Sequence, residues 1–151
     1  TEILQRNGIA LTEHSFYVDM QYILFPVPWI KNFCVLNIPV YCYRLGEDGQ
    51  SVAIKNMQKN REQHRNVQRS LVDFYKEKET VVTQTVLEYI ANGIAKMQAD
   101  QVQIALSMPI AKETKKELIH QEMYLKEMAR FYTQEELLIN GSSCFFISIF
   151  Y

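Results

Sequence analysis

Little in this sequence invites a ready-made site. Glycine is scarce, with five in 151 residues, and none of them sits in a phosphate-cradling loop of the Walker or dinucleotide type. A Gly-x-Ser-x-Gly elbow, the usual setting of an activated serine in α/β-hydrolases, is missing. Cys34, Cys42 and Cys144 are odd in number and lack CxxC spacing; neither a disulfide framework nor a zinc site is favoured, and a reducing compartment fits best. His14, His64 and His120 do not cluster with cysteines or carboxylates at ligand spacing either. A net charge of −1 and a pI near 6.3 leave no global field to attract nucleic acid or anionic lipid. No apolar run approaches the roughly 20 residues that span a bilayer, and none near the start resembles a signal peptide. Internal repeats and low-complexity runs are absent.

What is present suffices for a core. With 48% apolar and 22% charged residues, the chain is expected to form one domain or part of a larger one. Its first seven residues read as a helical piece closed by Gly8. The stretch then organised around Asp19 holds Phe16, Tyr17, Val18, Tyr22 and Phe25, which predicts a carboxylate walled in by aromatics. Such burial is costly unless the charge is paired. The local solution is a helix start near Phe16 or Tyr17, whose free N–H groups and dipole favour an anion, with Thr12 or Ser15 as the cap. The alternative is a catalytic task.

Pro26 and Pro28 end that helix early. From Phe33 to Leu45 the chain is apolar and aromatic with β-branched residues, predicting two short strands or one bent strand interrupted at Asn37-Ile38-Pro39. The Gly46 to Ser51 stretch reads as a loop tip, and a helix start at Ser51 is a natural anion site. Helices are then predicted from about Val52 to Lys78 with Met57, His64, Val67, Leu71 and Phe74 on one stripe, and from about Val81 to just before Pro109. The second has Val82, Val86, Tyr89, Ile90, Gly93, Met97 and Ile104 on its buried side, with Gly93 admitting a close neighbour. A third is predicted from Lys112 to Tyr132, with a short turn capped by Thr133 after it. The apolar run Cys144 to Tyr151 would promote aggregation if exposed, so it is expected to be covered. Arg61, Arg65 and Arg69 at i,i+4 spacing form the one candidate basic patch, diluted by Glu62 and Asp73 and lacking the interleaved aromatics of a single-strand nucleic-acid site.

Phe16-Tyr17-Val18-Asp19, the proline pair, and Val40-Tyr41-Cys42-Tyr43-Arg44-Leu45-Gly46-Glu47-Asp48-Gly49-Gln50-Ser51-Val52 resemble the C-terminal half of a bacterial family-two, inverting, GT-A-fold glycosyltransferase. Asn60 to Val67 is similar to the helix that follows in those enzymes. The likeness covers Ile3 to Tyr75 and fades beyond it. It implies an incomplete α/β GT-A-like domain: a mostly helical stretch with one short strand pair. Residues 1–52 would be the end of the catalytic domain and residues 53–151 a helical C-terminal subdomain.

The same resemblance implies transfer of a sugar from a nucleotide-sugar donor to a polysaccharide or lipid-linked acceptor. Asp19 would be the general base, and apolar surroundings make a carboxylate a stronger base. Tyr17 and Tyr22 would lie on the acceptor side. Arg44, Gln50 and Ser51 would face the donor diphosphate, where a cation and hydrogen-bond donors stabilise the leaving charge. Two departures stand out: Val18 replaces the first acid of the family's usual Glu-Asp pair, and the chain has no Asp-x-Asp. The divalent metal, Mg or Mn, is therefore expected in a half not carried here, and this stretch alone is expected to bind no metal and to be inactive. The implied setting is cytoplasmic, compatible with peripheral contact at the inner membrane face and with homo-oligomers through the helices, and without a nucleic-acid partner. The rival expectation is a non-catalytic helical interaction module in which Asp19 only serves its helix start.

Overall fold

The computed structural model describes residues 2–39, 41, 42, 50, 52–109 and 112–129. The chain divides into two compact units, Thr1–Ser107 and Met108–Tyr151. Arg44, Ser51, the Thr133 turn and the Cys144 to Tyr151 run lie outside the described residues.

The first unit is built on an antiparallel-type helix pair reached through short pieces. In order come α1 (Glu2–Arg6), α2 (Asp19–Leu24), a 3₁₀ turn (Val27–Trp29), α3 (Ile54–Lys59), α4 (Arg61–Lys78) and α5 (Gln84–Leu106). Helices α4 and α5 form the core, with Val67, Leu71, Val72 and Ile90 fully buried and Ile94, Met97 and Ile104 close to it. Their stripes follow the 3.6-residue period, so one face of each is removed from water. Leu24 closes α2 onto this pair at Gly93: a Cβ on that glycine would stand 2.5 Å from Leu24 Cδ1, so any larger residue there requires the buried Leu24 side chain to shift. Pro26 and Pro28 turn the chain after α2, and Phe25 and Trp29 then meet Phe74 of α4, with ring centroids 4.7 and 6.4 Å apart. The Lys78 ammonium lies 5.0 Å above the Trp29 ring, in cation–π range.

The long helix expected from Val52 to Lys78 is two helices. Asn60 leaves helical geometry at φ −100 and ψ 16, a break that polar Asn tolerates and that neither glycine nor proline announces. The predicted α5 begins three residues later than expected, at Gln84. Tyr89, expected on its buried side, is exposed. Neither Thr12 nor Ser15 caps α2, whose N-cap is Val18 without a side-chain bond.

The fold class is corrected more deeply. Among the described residues there is no strand and no sheet, so the α/β, GT-A-like architecture with a strand pair does not describe this structure. Lys31 to Pro39 runs without regular secondary structure and fully in solvent. The reason is physical: β propensity expresses itself through cross-strand neighbours, and an isolated ribbon has no ladder to satisfy its backbone.

In the second unit α6 spans Lys112–Ala129. The Thr114 hydroxyl donates to the Pro109 carbonyl at 3.2 Å, tying the helix's first turn to the residue that precedes it. Among the described residues no helix is long and apolar enough to cross a membrane.

Candidate functional site at the start of the second helix

Asp19 is the first residue of α2 and is exposed. The aromatic wall predicted around it is not there: Phe16 and Tyr22 themselves stand about half in solvent. A six-residue helix cannot turn all its large residues inward, and α2 spends its buried positions on Gln21 and Leu24. The carboxylate therefore sits at the helix start with access to water, where the dipole and free N–H groups favour its charge.

The segment leading into Asp19 is firmly held. Tyr17 takes φ 69, and His14 takes φ 53, both in the left-handed region that costs a non-glycine residue about 1 kcal/mol or more. Such geometry persists only where the surroundings impose it. Here the Phe16 N–H donates to Gln63 Oε1 of α4 at 2.9 Å, and the Met20 N–H donates to the Tyr17 carbonyl at 3.2 Å. The Tyr17 ring meets the His64 ring edge-on, centroids 4.7 Å apart. One turn further, the buried Gln21 amide bridges elements: its Oε1 accepts from the Thr12 N–H at 2.9 Å, and its Nε2 donates to the hydroxyls of Thr12 and Ser70 at 2.8 and 2.6 Å.

Beneath this lies a polar seam through the α4–α5 interface. His64, only 1% exposed, receives Gln101 Nε2 at 2.7 Å on Nδ1, and the same amide donates to the Arg61 carbonyl at 3.3 Å. An amide nitrogen only donates, so Nδ1 is the acceptor and the neutral ring carries its proton on Nε2. That nitrogen points to Asp100 Oδ2, 3.8 Å away. Burial pushes the His64 pKa down, partly offset by the anions of Asp100 and, more weakly, Asp19. Burial likewise raises the Tyr17 phenol, and the same two carboxylates push it further up. Gln68 donates to Gln98 in the same seam.

Of the residues singled out in the sequence, Tyr17 lies within the electrostatic reach of Asp19 and packs on His64, while Tyr22 faces a separate groove. Tyr22, one turn along from Asp19, lines an open groove of about 450 Å³ with Glu2, Ile3, Leu4, Ile23, Pro26 and Ile30. Gln50 is used through its backbone: its carbonyl accepts from Asn56 Nδ2 at 2.7 Å and the Ala53 N–H at 3.1 Å, setting the turn before α3. The basic patch is not a continuous face, since Arg61 Nη1 donates to the Gln58 carbonyl at 3.2 Å and Arg65 pairs with Glu62 at 3.3 Å. Asp100, Gln63 and Gln101 were not singled out in the sequence. Asp100 had a signal, being a charged residue on the apolar stripe between Met97 and Ile104.

Among the described residues no three His, Cys, Asp or Glu side chains converge as a metal-ligand set. Comparison of the chain with protein-family models, with curated proteins and with solved structures finds no match.

Proposed function

We propose that this stretch carries the general base of an inverting glycosyltransferase. Asp19 takes the proton from an acceptor hydroxyl as that oxygen bonds to the anomeric carbon of a nucleotide sugar and the bond to the departing diphosphate breaks. The observation that carries this reading is an accessible carboxylate at a helix start whose entry is fixed by a left-handed Tyr17, its ring against His64 and the N–H of the preceding Phe16 held by Gln63. A base must reach its substrate and hold its geometry before the substrate arrives, and this arrangement supplies both. Tyr22 and the groove beside it offer apolar surface for an acceptor of the polysaccharide or lipid-linked kind. Arg44, Gln50 and Ser51 remain the diphosphate-facing candidates by resemblance, with a cytoplasmic setting. The divalent metal goes with an Asp-x-Asp motif that this sequence does not contain, and the described residues provide no ligand set for it.

The test is acceptor-dependent release of nucleoside diphosphate by the polypeptide in which this stretch follows a donor-binding half, screened over nucleotide sugars. Release that requires acceptor is the expected result. A protein that binds no nucleotide sugar and releases nothing contradicts the reading.

One observation favours a second reading, the helical interaction module. Phe33, Val35, Leu36 and Ile38 form an apolar ribbon, with Phe33 86% and Val35 81% exposed, which is what a partner-covered segment looks like without its partner. If that partner is a second copy, Phe33→Asp abolishes self-association in sedimentation experiments with helix content unchanged; a wild-type chain that remains monomeric as concentration rises excludes the homo-oligomer.

A further inference from the structure

We propose that Asp100 and His64 are positioning residues for Asp19, acting through Tyr17 to hold the start of α2. The inference rests on the reading of Asp19 as a base, and it stands on geometry. Three groups from two elements converge on one imidazole: α5 brings Asp100 Oδ2 to 3.8 Å from Nε2 and Gln101 to Nδ1 at 2.7 Å, and the loop before α2 sets the Tyr17 ring edge-on against it. Gln101 on Nδ1 sets the tautomer of the neutral ring and leaves the Nε2 proton on the side of the Asp100 carboxylate. Its neighbour Gln63 fixes the Phe16 N–H. The left-handed Tyr17, two residues ahead of Asp19, is therefore braced by one α4 residue through the backbone of the preceding Phe16 and by the next through its ring.

The charged and titratable groups facing His64 are Asp100 from α5, Asp19 from α2 and Tyr17 from the loop; Arg61, one turn earlier on α4, shares Gln101 through its carbonyl. Asp19 and Asp100 thus act on the same Tyr17–His64 pair from opposite elements, Asp100 half in solvent and His64 buried.

The test uses the 151-residue chain and follows the His64 ring signals by NMR across pH, alongside the Tyr17 Cα shift, which reports its φ. Asp100→Asn and Asp19→Asn are each expected to move the His64 midpoint to lower pH, while Glu77→Gln, at an exposed site on the far part of α4, leaves it unchanged. His64→Gln is expected to release Tyr17 from the left-handed region, and Asp100→Glu to restore the wild-type midpoint. A His64 midpoint indifferent to Asp19→Asn, or a Tyr17 Cα shift unchanged in His64→Gln, overturns the proposal. Amide dispersion checks that each variant is folded, and where Asp100→Asn is not, Asp19→Asn and His64→Gln decide alone. Because the readout is a titration, a catalytic reading that fails for want of sugar transfer leaves this result intact, and the two failures are told apart.

Discussion

Two apolar regions of this chain meet opposite fates. Helices α4 and α5 bury Val67, Leu71, Val72 and Ile90 against each other, while Phe33 to Ile38, no less apolar, stand in water. The difference lies in where each finds its backbone partners. A helix satisfies its own N–H and C=O groups and needs only a neighbour for its stripe; an extended segment needs a second strand before its side chains have anything to pack on. The helix pair is therefore autonomous, and the ribbon is not.

That comparison breaks most visibly in the core. Leu71→Ala should destabilise the first unit by about 2–5 kcal/mol, read from denaturant midpoints, because its side chain is fully buried. Next comes the close approach of α2: Gly93→Ala places a Cβ 2.5 Å from Leu24 Cδ1, with an expected cost of roughly 1–3 kcal/mol. Leu24→Ala in the same chain should recover part of that cost, and a strictly additive double-mutant cycle would show that the contact is not what constrains position 93.

A smaller effect sharpens the polar part of the interface. Burial holds the folded-state pKa of His64 below its ordinary value, so the unfolded chain takes up a proton first as pH falls. The neutral-ring contribution is thus fully present above about pH 6.5 and is lost as pH drops from there toward the folded pKa. His64→Gln should flatten the fall in urea midpoint over that window; an identical slope in the variant would remove His64 as its source. Smallest of all, Phe33→Ser should change the stability of the isolated chain by no more than about 0.5 kcal/mol, since the side chain touches so little. A larger loss would mean that the ribbon is already part of a core.

Periodicity made the helical stripes legible, including His64 as a core residue and Gly93 as a point of close approach. The break at Asn60 was not, because no residue there forbids a helix. The strand pair failed for the opposite reason: the β signal from Phe33 to Leu45 is strong locally, but sheet formation depends on a partner that no local pattern reports. At the site, a short helix ending before the proline pair with Asp19 in its first turn was readable, but its start at Asp19 was not, since Val18 and neither Thr12 nor Ser15 is its N-cap. Nor was the exposure of Asp19, because a short helix gave its inward positions to Gln21 and Leu24. The His64–Asp100 approach joins residues 36 positions apart, and only the α4–α5 pairing brings them together.

Whether Asp19 takes a proton is decided by sugar transfer at saturating donor, compared between a polypeptide in which this stretch follows a donor-binding half and its Asp19→Asn variant, with donor affinity measured on both. The account predicts a fall in kcat on the order of 10² to 10⁴ with donor Kd unchanged. Transfer by Asp19→Asn at the wild-type rate would contradict it.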